Sequence, residues 1–170
     1  MFKKAKPLKD PSDIEHAYNY ALFVLNISMR TQGEMREKMQ KRGYLPEVID
    51  HVLVKLKEDR YIDDDKYAEI FIRNMKDFKY WGKFMMKQKM MLKKLPTDLI
   101  EESLSEQVSL EDEIAIAKKY VEKNFGSVEE VSKMEYEQKQ KIKARLVSRG
   151  LVMMRLVSFS LCRQVLEVDR

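Results

Sequence analysis

The sequence predicts an all-α protein, an elongated and curved array of three tandem three-helix repeats. Five glycines and four prolines in 170 residues leave few chain reversals for a fold rich in β-strands. Lysine, glutamate, leucine and methionine, which favour helices, are abundant. The third observation is a weak internal repeat with a period of about fifty residues, which is longer than one helix pair, so each copy should contain three helices.

Each copy of the repeat contains two apolar residues four positions apart, then basic residues, then a short apolar helix. The apolar pairs are Met35 with Met39, Met86 with Met90, and Ile142 with Leu146. We expect these pairs to face the core. The predicted organisation is a disordered basic tail at 1–11, followed by repeats at 12–58, 63–107 and 109–168.

Capping residues indicate the helix boundaries of the first repeat and the start of the second. The first two helices should begin at capping boxes, Ser12 with Glu15 and Thr31 with Glu34. Gly43 suits the left-handed end of the second helix, and Pro46 suits the first turn of the third. In the second repeat, Asp63 or Asp64 should cap a helix whose buried face comprises Tyr67, Ala68, Phe71, Met75 and Phe78.

Later boundaries follow from glycine and serine. Trp81-Gly82 interrupts the chain before a basic, methionine-rich helix at about 83–93. Ser109 with Asp112 should begin a helix that ends at Gly126.

The rest of the third repeat is less regular. We expect residues 127–138 to form a long connection that frays into the next helix. A last helix should begin near Met153, with either Leu156 or Val157 in its core position.

Charge is distributed in blocks, and the net charge is +5. Residues 73–94 hold eight Lys or Arg against one acid, and residues 139–155 hold six with no acid. Between them, residues 95–117 hold seven Asp or Glu and no base. Each block could be a solvated helix surface, but two basic blocks of this purity favour an anionic partner.

The residues that could carry catalysis do not form a recognisable site. His16 and His51 belong to different predicted helices without metal-ligand spacing, and Cys162 is the only cysteine. The carboxylates of 63–65 lack the spacing of a calcium loop and are better explained as helix caps. We therefore expect no catalytic residue, no metal and no cofactor.

Two further functional classes are disfavoured. In a helix-turn-helix reading of residues 32–57, the recognition helix would present Glu47 and Asp50 to DNA, and both would repel phosphate. The chain also lacks a signal-peptide apolar run near its start and a run long enough to span a membrane. We expect a cytoplasmic monomer with no membrane partner.

Methionines and aromatic residues in the second basic block have two interpretations each. Met86 and Met90 have core spacing, whereas Met85 and Met91 fall off that face and could contact a partner. Tyr80, Trp81 and Phe84 could stack on bases, although packing between repeats is the favoured interpretation.

Two motifs together resemble the RecX family of RecA regulators. They are Gly33-Glu34-Met35-Arg36-x-Lys38-Met39-x3-Gly43-Tyr44 and Tyr61-Ile62-Asp63-Asp64-x2-Tyr67-Ala68-x2-Phe71. The resemblance extends from about Tyr18 and is strongest in the first repeat. It implies tandem three-helix repeats that lie in the groove of RecA–DNA filaments and repress strand exchange, co-protease function and ATP hydrolysis.

The resemblance makes Tyr61, Asp63, Ala68 and Phe71 fold-forming residues, and charge selects the contact residues. The candidates for binding DNA, single- or double-stranded, or the RecA filament are Arg36, Lys38, Lys41 and Arg42 in the first repeat, Lys83, Lys87 and Lys94 in the second, and Lys141, Arg145 and Arg149 in the third. The expected context is DNA repair and recombination in the SOS response. Alternatives are a nonspecific DNA-binding protein that acts without a recombinase and a helical adaptor that binds only protein.

The sequence departs from the family pattern at two glycine positions. Arg60 and Lys94 stand where family members have glycine. Both departures suggest helix ends that close differently, or a cost of about 1 kcal/mol each if a left-handed residue is needed.

Overall fold

The computed structural model describes Leu8 and residues 10–151, and these residues form helices without any strand. The all-α prediction is confirmed. Most of the predicted N-terminal tail, and the predicted last helix with Cys162 and the Leu156 or Val157 register, lie outside the described residues. The helices are α1 (Ile14–Ile27), α2 (Gln32–Arg42), α3 (Pro46–Glu58), α4 (Asp64–Asn74), α5 (Lys83–Leu92), α6 (Thr97–Gln107), α7 (Leu110–Phe125), α8 (Val128–Ser132) and α9 (Tyr136–Ser148).

The chain packs as two compact units. The first contains the described residues up to Ala68 together with Met91–Leu99, and the second contains Glu69–Met90 with the described residues from Ile100 onward. The repeat boundaries at 12–58, 63–107 and 109–168 stay a prediction.

The core of the first unit lies among α1, α2 and α3. Met35 and Met39 are fully buried there, as predicted from their spacing, alongside Ile49 and Leu53 of α3. The predicted tail also contributes, because Leu8 packs against this core and the Pro11 carbonyl accepts a 3.2 Å hydrogen bond from the Leu45 N–H.

The predicted capping box at Ser12 is wrong. Asp13 caps α1 and accepts a 2.8 Å hydrogen bond from the His16 N–H, whereas the Ser12 hydroxyl donates to Asp10. The ionised carboxylate of Asp13 is the stronger acceptor for a helix N-terminus.

At α2 the predicted cap is confirmed in part. The Thr31 hydroxyl oxygen accepts from the Glu34 N–H at 3.0 Å. The Glu34 carboxylate, however, binds the Lys93 ammonium, also at 3.0 Å.

Helix ends close through left-handed residues. Gly43 has φ 99° and Gly150 has φ 78°, and Arg60 and Lys94 adopt the same region at φ 59° and φ 58°. The expectation that helix ends at Arg60 and Lys94 close differently is therefore wrong. Tyr44, Leu95 and Leu151, which follow three of these residues, are all buried.

In the second unit, Met86, Met90, Ile100 and Leu104 are buried with at most 1 % exposure, which confirms the predicted core role of both methionines. Phe78, predicted to be buried, is 72 % exposed. A π-helical turn at Met75–Lys79 follows α4 and closes when the Tyr80 N–H donates to the Met75 carbonyl. The extra residue in this turn rotates Phe78 off the buried face that Ala68 and Ile72 occupy.

The capping box of Ser109 with Asp112 begins α7, and Gly126 ends it, as predicted. The prediction of a long connection at 127–138 is wrong where α8 forms, whereas the last residues of this segment begin α9, as expected. Ser127 and Glu130 form a reciprocal capping box that makes this short helix possible.

Candidate nucleic-acid interface

The basic side chains predicted in the first unit lie on α2 and just after α5. Lys38 forms no ion pair with any residue that the structure describes, and Arg36 is bound to Asp50 at 2.6 Å. Both members of that pair are well exposed, so the bond is weak and exchangeable for a phosphate. Arg42 ends α2 and is half-buried.

Glu37 connects two of the predicted contact residues. Its carboxylate accepts from the Lys41 ammonium at 2.8 Å and lies 3.8 Å from the Lys94 ammonium. The hydrogen bond from Lys41 lowers the pKa of Glu37, and the positive charges of Lys41 and Lys94 act in the same direction. Glu37 therefore stays ionised and offsets part of the positive charge of this surface.

In the second unit, the two predicted residues of α5 meet carboxylates. The Lys87 ammonium donates to Glu101 of α6. Lys83 is the first residue of α5, and its backbone N–H donates to Oε1 of Glu113 at 2.9 Å.

The predicted basic row of α9 divides into three environments. Lys141 is exposed and makes no ion pair within the described part of the chain. The Arg145 guanidinium lies 5.4 Å from the centre of the Phe125 ring. Arg149 lies 4.1 Å from the centre of the Tyr120 ring and donates a 2.6 Å hydrogen bond to the Lys79 carbonyl, so it is partly structural.

A cation that the sequence analysis missed accompanies these aromatic residues. The Lys123 ammonium lies 5.2 Å from the centre of the Tyr80 ring, and Tyr80 in turn contacts Tyr120 with ring centres 6.1 Å apart. A lysine ammonium group that lies over an aromatic ring still has N–H groups available to donate hydrogen bonds to a phosphate. The signal in the sequence was the exposed position of Lys123 near the end of a helix, which alone selects too many lysines.

The other candidate contact residues of the second basic block are partly accessible. Phe84 is 52 % exposed and Met91 54 % exposed, whereas Met85 is half-buried. Trp81 is half-buried, with the Lys89 ammonium 5.8 Å from its ring centre.

Two carboxylates, the half-buried Asp64 and the buried Glu113, cap helices that are distant in sequence. Asp64 accepts from the Gln32 N–H and Glu113 from the Lys83 N–H, each at 2.9 Å. Burial raises the pKa of Asp64 and of Glu113, against the smaller opposing effect of these hydrogen bonds. Asp63, by contrast, caps its own helix by accepting from the Lys66 N–H, as predicted.

Neither a metal site nor a membrane span emerges from the described residues. Among them, no group of three or more His, Cys, Asp or Glu side chains is arranged to hold an ion. Their helices are also too short or too polar to cross a lipid bilayer.

Comparison with family models gives two matches. Residues 17–56 match the model described as RecX, first three-helix domain, and residues 63–104 match RecX, second three-helix domain. The first matched segment covers most of α1–α3, and the second covers most of α4–α6.

Curated relatives carry the name regulatory protein RecX. The protein from Geobacillus kaustophilus is 34 % identical over 111 residues, which are 65 % of this chain and 41 % of the relative. The protein from Halalkalibacterium halodurans is 28 % identical over 148 residues, which are 87 % of this chain and 54 % of the relative. The chain thus spans about half the length of the curated relatives it matches.

Solved structures share the fold. The crystal structure of RecX from Lactobacillus salivarius superposes with a TM-score of 0.70 at 24 % identity, covering 91 % of this chain and 99 % of that one. A second crystal structure of a regulatory protein RecX gives a TM-score of 0.66 at 23 % identity, covering 83 % and 71 %.

Proposed function

This chain belongs to the RecX family, and we propose that it is a non-enzymatic, cytoplasmic regulator of RecA. In this proposal it binds RecA–DNA filaments and represses their recombinase, co-protease and ATPase activities during DNA repair and the SOS response. The observation that carries the proposal is the pair of consecutive RecX three-helix domains matched at 17–56 and 63–104.

The charge distribution supports a partner that contains nucleic acid. Lys38 and Lys141 are cations without an ion pair among the described residues, and Arg145 rests on an aromatic ring. These side chains can neutralise phosphates at no cost in broken internal bonds. The ion-paired residues Arg36, Lys41, Lys87 and Lys94 would have to exchange a carboxylate for a phosphate first.

The exposed acidic residues of α6 support a second contact, with protein. Glu101, Glu102 and Glu106 of α6 are exposed, and a basic protein surface would complement them. In this mechanism a monomer bridges successive recombinase protomers and hinders the rearrangements that turnover and filament growth require.

The direct test is ATP hydrolysis by the cognate RecA on single-stranded DNA, titrated with this protein at fixed salt, with binding to naked DNA measured in parallel. We expect inhibition well below one protein per recombinase protomer. If inhibition begins only once the DNA is saturated, the protein competes for DNA, and the alternative of a nonspecific DNA-binding protein replaces the proposal.

Charge-reversal variants locate the interface. The double variant Lys38→Glu with Lys141→Glu should weaken inhibition by at least tenfold, because two phosphate contacts become repulsions. The double variant Lys66→Glu with Lys118→Glu makes the same change in net charge at exposed positions outside the candidate set. Equal loss in both variants would mean that net charge alone acts, and the assigned surface would be wrong.

A further inference from the structure

The second helices of the first two predicted repeats, α2 and α5, begin against equivalent partners. The N–H of the first residue of α2, Gln32, donates to Asp64, and the N–H of the first residue of α5, Lys83, donates to Glu113. Asp64 lies in the first turn of α4, and Glu113 lies at the fourth position of α7. Each acceptor therefore belongs to the first helix of the following predicted repeat.

The residue before each of these helices makes a second equivalent bond. The Thr31 hydroxyl donates to the Lys93 carbonyl, and the Gly82 N–H donates to the Arg149 carbonyl at 2.9 Å. Lys93 and Arg149 hold the same place in the repeat, immediately before a left-handed residue.

Glycine permits both contacts. A Cβ atom on Gly33 would lie 2.4 Å from the Lys94 carbonyl oxygen, and one on Gly82 would lie 2.5 Å from the Gly150 carbonyl oxygen. The backbones thus approach more closely than any other residue allows. We name these two contacts the first joint (Thr31, Gln32 and Gly33 with Asp64, Lys93 and Lys94) and the second joint (Gly82 and Lys83 with Glu113, Arg149 and Gly150).

Packing reinforces the equivalence of the two carboxylates. Ala68 and Ile72 lie four and eight residues after Asp64. Ala117 and Val121 lie at the same distances in sequence after Glu113. All four are buried, with at most 1 % exposure. Each carboxylate is therefore the polar end of a face whose remainder is core.

We propose that Asp64 and Glu113 are positioning residues that fix the starts of the basic helices α2 and α5, and that this placement orients the candidate contact residues of each helix for a RecA–DNA filament. The proposal rests on the proposed function. Lys38 and Lys41 lie on α2, and Lys83 and Lys87 lie on α5, so fixing the start of each helix fixes where its contact residues lie. A filament presents its phosphates in a fixed geometry and is sensitive to this placement, whereas naked single-stranded DNA adapts to the protein.

The test compares three double variants of the full chain. Asp64→Ala with Glu113→Ala removes both acceptors, and Asp64→Asn with Glu113→Gln restores an acceptor oxygen at each joint. Asp65→Ala with Glu111→Ala removes the same charge from exposed neighbouring positions as a control. The measurements are affinity for RecA filaments, affinity for naked single-stranded DNA, and hydrogen exchange at the amides of Gln32 and Lys83.

We expect the alanine pair to bind filaments about fivefold more weakly per joint. This is the factor by which losing one helix cap disfavours the ordered helix start. The affinity for naked DNA should not change. Exchange at Gln32 and Lys83 should accelerate in this variant only. The amide pair and the control should resemble the wild type.

The outcomes separate the inference from the function. Wild-type filament affinity in a folded alanine pair, or weakening of filament and naked-DNA binding by the same factor, would overturn the positioning role while leaving the regulator proposal intact. If the alanine pair does not fold, an amide pair that folds but fails on filaments would overturn the role. A wild-type protein without effect on filaments would overturn the proposed function, and unchanged exchange at both amides would overturn the joints themselves.

Discussion

Arg60 and Lys94 place side chains in a backbone region that favours glycine. Both have φ near 60°, where contact between Cβ and the backbone costs about 1–2 kcal/mol per residue. Arg60 follows the C-cap of α3, and the Tyr61 N–H bonds the Leu56 carbonyl at 2.9 Å across it. The strain is thus accepted in order to keep the helix end closed.

Arg60→Gly should raise the free energy of unfolding by about 0.5–1 kcal/mol, because glycine adopts this conformation without strain. Urea denaturation at neutral pH measures the change. Arg60→Ala keeps the Cβ atom and is the control, for which we expect no gain. Destabilisation by glycine would mean that the Arg60 side chain contributes contacts that outweigh the backbone strain.

Glu113 should make the protein less stable as the pH rises, which is the opposite of the usual effect of an acidic residue. Burial raises its folded-state pKa above the ordinary 4.5, so folding favours the protonated form. That contribution is fully present below pH 4.5 and is lost as the pH rises through the folded-state pKa. Glu113→Gln keeps an acceptor without the charge and escapes this loss.

The stability of Glu113→Gln relative to the wild type should therefore improve as the pH rises from about 4 towards 7. Unfolding free energies at a series of pH values test this, with Glu111→Gln as an exposed control for the change in charge. A constant difference between Glu113→Gln and the wild type would show that the carboxyl group is equally solvated in both states.

At the scale of the element, the start of α2 is a place where replacing glycine by alanine should destabilise a helix rather than stabilise it. Replacing a helical glycine by alanine normally stabilises a helix by about 1 kcal/mol. At Gly33 the new methyl group would meet the Lys94 backbone at 2.4 Å, which requires the first joint to open.

Gly33→Ala should therefore lower the free energy of unfolding by about 1–3 kcal/mol, as overpacking does elsewhere. Gln40→Ala, at an exposed position of the same helix, is the control for helix propensity and should cost less than about 0.5 kcal/mol. Thermal or chemical denaturation suffices, and a stabilised Gly33→Ala protein would contradict the close approach.

Local signals made most elements predictable. The spacing of Met35 and Met39 identifies a buried face, and Gly43 identifies a helix end, because both depend on residues within one or two turns. The bond from Gln32 to Asp64 depends on residues far apart in sequence, and the π-helical turn at Met75–Lys79 on packing, so neither was accessible to local patterns. For the candidate contact residues, the sequence showed the positive charges, but it did not show which carboxylates of the same chain pair with them.

At the scale of the whole molecule, internal partners reduce the charge available to DNA. Among the ten candidate residues, Arg36, Lys41, Lys87 and Lys94 are held in ion pairs. Arg149 binds a backbone carbonyl. The protein should therefore engage fewer phosphates than its composition suggests.

The affinity for single-stranded DNA should fall with salt on a logarithmic slope no steeper than about −3.5, the value for the five remaining candidates, rather than the roughly −7 that ten phosphate contacts would give. Fluorescence anisotropy over a range of salt concentrations measures this slope. Removing Asp50, the partner of Arg36, by Asp50→Ala should make the slope steeper by roughly one contact. A slope near −7 in the unmodified protein would show that the ion pairs open on binding.

The two joints also provide a short sequence pattern by which related repeats can be recognised. Each of their four bonds has a main-chain atom on at least one side, so many of the surrounding side chains can change while the connection persists. What must remain is short: a carboxylate, alanine four residues later and an aliphatic residue four further on, as in Asp64-x3-Ala68-x3-Ile72 and Glu113-x3-Ala117-x3-Val121. Where the longer relatives extend past the region they share with this chain, each recurrence of that spacing would point to another module, even if overall similarity has faded.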